Sequence, residues 1–121
     1  MDHEKLVLFQ KIYDLILEVH PVIITFPKNQ RFTLGQEMER SLILMLELII
    51  NVNIRKVPAS YFTKLEVEIH KLRILIRLSK DYHFIKITTY VELQKKVVEI
   101  IKLLRGFQKT FNLLQRDKVA Q

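Results

Sequence analysis

The residues able to do chemistry are few in this chain, and they stand apart from one another. Cysteine is absent, which removes disulfides, thiolate zinc sites and thiol catalysis together and fits a reducing compartment. The four histidines, His3, His20, His70 and His83, fall in separate segments. A di-metal centre in a helical bundle needs paired, inward Glu-x-x-His motifs, and the sequence holds none. Glu66 and His70 sit at i, i+4, where a helix-surface contact is the plain reading. Ser41, Ser60 and Ser79 would each need a histidine and a carboxylate in a cleft to act as nucleophiles. Their simpler roles are small packing, a helix cap and a core-edge residue. Gly35 and Gly106 are the only glycines and lie far apart, so nothing resembles a phosphate loop. The expectation is a protein that is not an enzyme and takes neither metal nor cofactor.

What the chain does carry is polarised charge. Its formal net charge is +7 over 121 residues. Residues 1–60 hold seven Lys/Arg against seven Asp/Glu, whereas residues 61–121 hold thirteen against six. Arg73, Arg77 and Lys80 recur at i, i+4 and i+7, one line along a helix. Lys95, Lys102, Arg105 and Lys109 recur at seven, three and four, a second line. The bland reading is a pair of solvated faces. Confinement of the excess to two adjacent helices, with few acids close enough to compensate, favours a polyanion footprint instead. Arginine adds a planar fork suited to phosphate. Such binding would be directed at the RNA or DNA backbone and sensitive to salt, with no motif for reading bases.

The elements that position these lines are long helices. Two glycines and three prolines leave little turn punctuation, and 27% charged with 49% hydrophobic residues is ordinary globular composition. One domain, residues 1–121, is expected. In a first helix over residues 4–25, Leu6, Phe9, Tyr13, Ile16, Leu17 and His20 make an apolar stripe, interrupted at Pro21. Phe26 and Pro27 block the helix, and Lys28, Asn29 and Gln30 form a polar turn. Thr33 and Gln36 have capping-box spacing, so a second helix is expected over 33–52. Glu37 and Glu39 then place negative charge in its first turns. From Leu42 to Ile50 the only strongly polar residue is Glu47. That surplus of apolar surface points to a subunit interface carried by Ile43, Leu44, Leu46 and Ile50. Asn51, Asn53 and the run Arg55 to Pro58 end this helix.

A third helix, 59–82, headed by Pro58 or Ser60, carries the stripe Leu65, Ile69, Leu72, Ile76 and Ser79, widened by Phe62, Leu75 and Leu78. A fourth is expected over 89–111, with Thr89 and Glu92 as its capping box. Two inward sets are open there: Val91, Val98, Ile101 and Leu104, or Leu93, Val97, Ile100 and Leu104. Residues from Asn112 onward are expected to fray. Four helices joined by short links read as an all-α, antiparallel up-down-up-down four-helix bundle. The first ten residues do not resemble a signal peptide, and the apolar runs are too short to span a bilayer. A soluble cytoplasmic protein with no membrane partner is the expectation.

Two stretches, FPKNQRFTLGQEMERSLILMLELI and HKLRILIRLSKDYHFI, resemble the four-helix-bundle family of accessory variability determinants (Avd-like) of diversity-generating retroelements. That family is grouped with the intervening-sequence proteins encoded in some bacterial ribosomal RNA genes. The resemblance runs from about Lys11 to Phe107 and is strongest at Phe26-Pro27, Arg31 to Gly35, and Leu72-Arg73-x-Leu75-x-Arg77-Leu78. It implies a non-enzymatic bundle assembled as a homo-oligomer, a pentamer, that binds nucleic acid and a reverse transcriptase. Matching positions make Lys28, Arg31, Arg73 and Arg77 contacts for the polyanion or partner, beside Lys80, Lys95, Lys102 and Arg105 from the basic lines. The stretch KDYHFIKIT departs from the arginine- and leucine-rich connection expected of a retroelement member. The alternative role is a structural bundle of the intervening-sequence type that binds no nucleic acid.

Overall fold

The computed structural model describes residues 3–52 and 59–120, with side chains to residue 116 in the last helix. Among them no strand occurs. The elements are α1 (His3–Ile24), α2 (Lys28–Gln30), a π turn (Arg31–Gly35), α3 (Gln36–Asn51), α4 (Ser60–Asp81) and α5 (Ile87–Ala120). The fold is an all-α four-helix bundle. Helix α1 packs on α3 and α5, and α4 packs on α3 and α5, so the long helices close a ring.

The pairings between neighbours give the sense of each helix. Lys5 and His20 of α1 meet Ile50 and Glu39 of α3. Glu37 and Ser41 of α3 meet Lys71 and Glu68 of α4. Arg73 and Lys80 of α4 meet Gln94 and Tyr90 of α5. In each case one number rises as the other falls, so consecutive long helices run antiparallel. The connection at residues 25–27 and that at residues 82–86 therefore lie at the same end, where Phe26 meets Phe84 at 5.5 Å between ring centroids. At the opposite end Phe62 packs on Phe107 and Phe111.

Core residues recur at three and four. In α1 they are Leu8, Ile12, Leu15, Val19 and Ile23, not the expected stripe. Leu6, Tyr13, Leu17 and His20 are exposed, while Phe9 and Ile16 are half-buried. Both sets have helical spacing, and periodicity alone cannot say which of two apolar stripes faces inward. In α4 the expected stripe of Leu65, Ile69, Leu72, Ile76 and Ser79 is buried with Phe62. In α5 the inward set is Leu93, Val97, Ile100 and Leu104, joined by Ile101, Phe107 and Phe111. Val91 is exposed.

Several boundaries differ from expectation. Pro21 lies on the exposed side of the last turn of α1, and the helix continues to Ile24. The next helical stretch begins at Lys28, not Thr33. Pro27 is extended, with ψ of 141°, and its carbonyl accepts the first amides, from Gln30 and Arg31. Thr33 is consequently internal; its hydroxyl donates to the Gln30 side chain at 2.9 Å and caps nothing. Glu37 and Glu39 reach across to Lys71 and His20. Helix α3 stops at Asn51, before an extended Val52; Asn53 and the run from Arg55 to Pro58 lie outside the described residues. Ala59 heads α4 without a side-chain cap bond. Thr89 is likewise internal to α5, whose register starts with Tyr90 donating to the Lys86 carbonyl. Beyond Asn112 the helix continues to Ala120. At about 1.5 Å per residue, its 34 residues outrun the 22 of α4 by roughly 18 Å.

Candidate nucleic-acid interface

The cations divide into those that clasp helices and those left facing solvent. Lys11 of α1 pairs with Glu99 of α5 at 3.0 Å, and Lys96 of α5 pairs back to Glu18 of α1. Lys71 joins Glu37 at 3.2 Å across α3 and α4. The hydrogen bond that Lys11 donates to Glu99, reinforced by the carboxylate's charge, holds the Lys11 ammonium above its usual range. These lysines are spent on the bundle itself.

On α5 the positions opposite the buried stripe are Lys95, Lys102 and Lys109, with Arg105 toward the α4 side; all are exposed. None is in an ion pair among the described residues. Arg73 on α4 is also exposed, and its carbonyl accepts from the Gln94 amide at 3.1 Å, which fixes that turn of α4 against α5. Arg77 and Lys80 share Asp81, at 3.8 and 3.3 Å, and Lys80 stands 4.6 Å over the Tyr90 ring. Of the expected residues, Arg73, Arg77, Lys80 and Lys95 come together near the 82–86 connection. Lys102 and Arg105 continue the face further along α5. Lys28 and Arg31 belong to the end of the bundle, at the π turn, where the Arg31 Nε donates to the Phe26 carbonyl at 3.1 Å.

Sequence reasoning missed Arg116. Read as a fraying tail, its segment is regular helix, so Arg116 extends the line through Lys102 and Lys109 at the same seven-residue interval. The signal was there in the spacing itself.

The expected subunit contacts divide as well. Ile43 and Ile50 are each 51% exposed, and Leu44 is exposed. Leu46 is half-buried against the core and serves the bundle's own packing. In the register set by His20 with Glu39, the α3 residues Ile43 and Ile50 lie alongside Leu17, Tyr13 and Leu6 of α1, which are exposed too. This apolar strip on α1 and α3 and the basic face on α4 and α5 occupy opposite sides of the ring of helices.

The other groups with chemistry are engaged locally. The Ser41 hydroxyl donates to the Glu68 carboxylate at 2.8 Å, and Ser79 donates to the Leu75 carbonyl at 2.9 Å. Ser60 is exposed in the first turn of α4. His70 lies 4.0 Å from Glu66. Among the described residues no three metal-ligating side chains gather, and no helix is long and apolar enough to cross a membrane.

A four-helix bundle with exposed cations along α5 and one edge of α4, and exposed apolar residues both on α1 and α3 and at Val67 and Ile74 of α4, is the class that fold and surface define. The model of the bAvd-like family matches residues 6–111, and the chain belongs to that family. No curated protein matches it.

Proposed function

We propose that this protein is a non-enzymatic, homo-oligomeric accessory bundle that binds nucleic acid through the outer face of α4 and α5 and scaffolds a partner protein. The observation that carries the reading is the sorting of cations. Lys11, Lys71 and Lys96 are consumed by contacts between helices, whereas Arg73, Lys95, Lys102 and Arg105 face solvent with no ion pair among the described residues. A row of unpaired cations along α5, with Arg73 beside it on α4, suits a phosphate backbone, which rewards charge and spacing rather than base identity. Family membership supports an accessory role, and the resemblance extends it to a pentamer serving a reverse transcriptase; a cytoplasmic setting is part of the proposal. Exposed Leu17, Ile43 and Ile50 supply a strip for self-association.

The test is RNA and DNA binding across a salt series, with the mass in solution recorded alongside. Log affinity should fall linearly with log salt, and Arg73→Glu with Arg77→Glu should flatten the slope by about two while the circular dichroism stays unchanged. Binding that is absent even at low salt would leave a structural bundle of the intervening-sequence type. A monomeric mass would remove the oligomer.

A further inference from the structure

One end of the bundle is unlike the rest of its surface, because aromatic rings stand exposed there among cations. Tyr82, in the connection after α4, is 61% exposed although it is large and aromatic. One side of its ring is stacked on Phe84, with centroids 5.4 Å apart and planes 19° from parallel. Phe84 in turn rests on buried Phe26, so the outer ring is backed by a rigid aromatic column. The backbone fixes the column. Phe84 donates to the Ser79 carbonyl and His83 to that of Lys80, the paired bonds that close a helix C-terminus, with His83 at a φ of 62°. Phe32, in the π turn at the same end, is 71% exposed.

Cations dominate the connections at this end. Lys28, Arg31, Arg77, Lys80 and Lys86 occupy the two connections and the last turns of α4, with Asp81 among them, while Glu37, Glu39 and Glu92 stand in the first turns of α3 and α5. Glu37 and Glu39 are engaged by Lys71 and His20. Asp81 is already shared by Arg77 and Lys80. Arg31 is tethered to the carbonyl of Phe26, beneath the column. A preformed, solvent-facing ring ringed by cations is what a single strand of nucleic acid needs: a platform for an unpaired base and counter-charge for its phosphates. A duplex keeps its base faces in its own stack and cannot use the platform.

We infer that this end of the bundle, centred on Tyr82 and Phe32, is a stacking site for single-stranded nucleic acid. The inference rests on the nucleic-acid reading above and adds to it the strandedness and the contact residues. A nucleic-acid strand matches both features of this end at once, the exposed ring face and the cations beside it.

The chain contains no tryptophan, so Tyr82→Trp creates a single reporter at the platform. Short oligo-dU and oligo-rU, and a hairpin duplex of the same charge, are titrated at low salt. Both single strands should quench the indole, since stacking does not depend on the sugar, and the duplex should quench it far less. Tyr82→Ala combined with Phe32→Ala should weaken single-strand binding by about tenfold or more and leave the salt slope unaltered. Tyr82→Phe, which keeps the ring, should bind as the wild type does. Undiminished oligonucleotide affinity in the double variant, with no quenching, would overturn the stacking site, leave the basic face of α4 and α5 standing, and turn this end toward a protein contact. No binding of either strand type would overturn both readings.

Discussion

Gly35→Ala tests how the turn that carries Arg31 and Phe32 is held. Gly35 is buried and its backbone is ordinary helix, with φ of −61°, so the glycine is not there for a left-handed conformation. It is there for space. A Cβ at this position would fall 2.5 Å from Cγ2 of Ile23 and 3.4 Å from the Gln30 carbonyl oxygen. Carbon atoms pack best at about 3.5–4.0 Å, so Ile23 must retreat by roughly 1 Å. It has nowhere easy to go: Cγ2 branches directly from Cβ, and the side chain is 5% exposed within α1. Overpacking of a tight core costs about 1–3 kcal/mol, and an overlap this deep belongs in the upper half of that range. Alanine returns about 1 kcal/mol through its better helix propensity. The net is a loss of about 1–2 kcal/mol, read as a lower urea midpoint at constant slope by circular dichroism. Ile23→Ala removes the clashing methyl, so the double variant should be less destabilised than the sum of the singles, with a coupling of about 1 kcal/mol. A Gly35→Ala protein as stable as the wild type would show that the π turn absorbs the methyl by shifting, and the close-approach account would be wrong.

Two further outcomes follow from particular contacts. His83 holds a left-handed backbone at the end of α4, a conformation that costs a side-chain-bearing residue about 1 kcal/mol. His83→Gly should therefore raise stability by about 0.5–1 kcal/mol in thermal melts, and a lowered melting temperature would contradict this. Lys11 has its proton held more tightly in the folded state by Glu99. Its contribution is complete below the ordinary pKa of 10.5 and is lost as pH rises through the higher folded value. Lys11→Met should lower the melting temperature at neutral pH, and the gap to the wild type should narrow above pH 10.5; a gap that does not change with pH would assign the effect to packing.

The α4 stripe was legible because only one face of that helix has consecutive large apolar residues at three- and four-residue intervals. Helix α1 was misread for the opposite reason. Its stripe of Leu6, Tyr13 and Leu17 is as regular as the buried one of Leu8, Ile12 and Leu15, and the choice is made by contacts with α3 and α5 that lie far away in sequence. Thr33 and Thr89 had the spacing of caps, yet in each case the helix had already begun. At Lys28 an extended proline supplied the first acceptor, and at Ile87 the Lys86 carbonyl did so. A capping box is a local preference, and any upstream backbone able to accept the first amides pre-empts it. The cations were all visible in sequence, but which of them clasp helices and which remain free depends on the register of α1 against α5, where Lys11 and Lys96 find acids that no spacing within one helix could reveal.

That register also decides how the two proposed surfaces can coexist. The apolar strip belongs to residues in the half of the chain with balanced charge, and the basic rows belong to the half that holds the whole excess. Because α1 and α3 lie across the ring of helices from the outer face of α4 and α5, copies joined through Leu17, Ile43 and Ile50 would bring neutral flanks together. Their cation rows would point away from the contact, where repulsion between copies is screened within about 10 Å at 0.1 M salt. Each added copy would then add a basic face without weakening the contact that recruits it. The affinity of the assembly for a long polyanion should therefore rise more steeply than the number of faces, since a strand held at one face meets the next at high effective concentration. Substituting Ile43 and Ile50 with Glu should consequently lower the affinity for a long strand far more than for one that spans a single face, although neither residue touches the basic rows. Equal losses for long and short strands would mean that the two surfaces act independently.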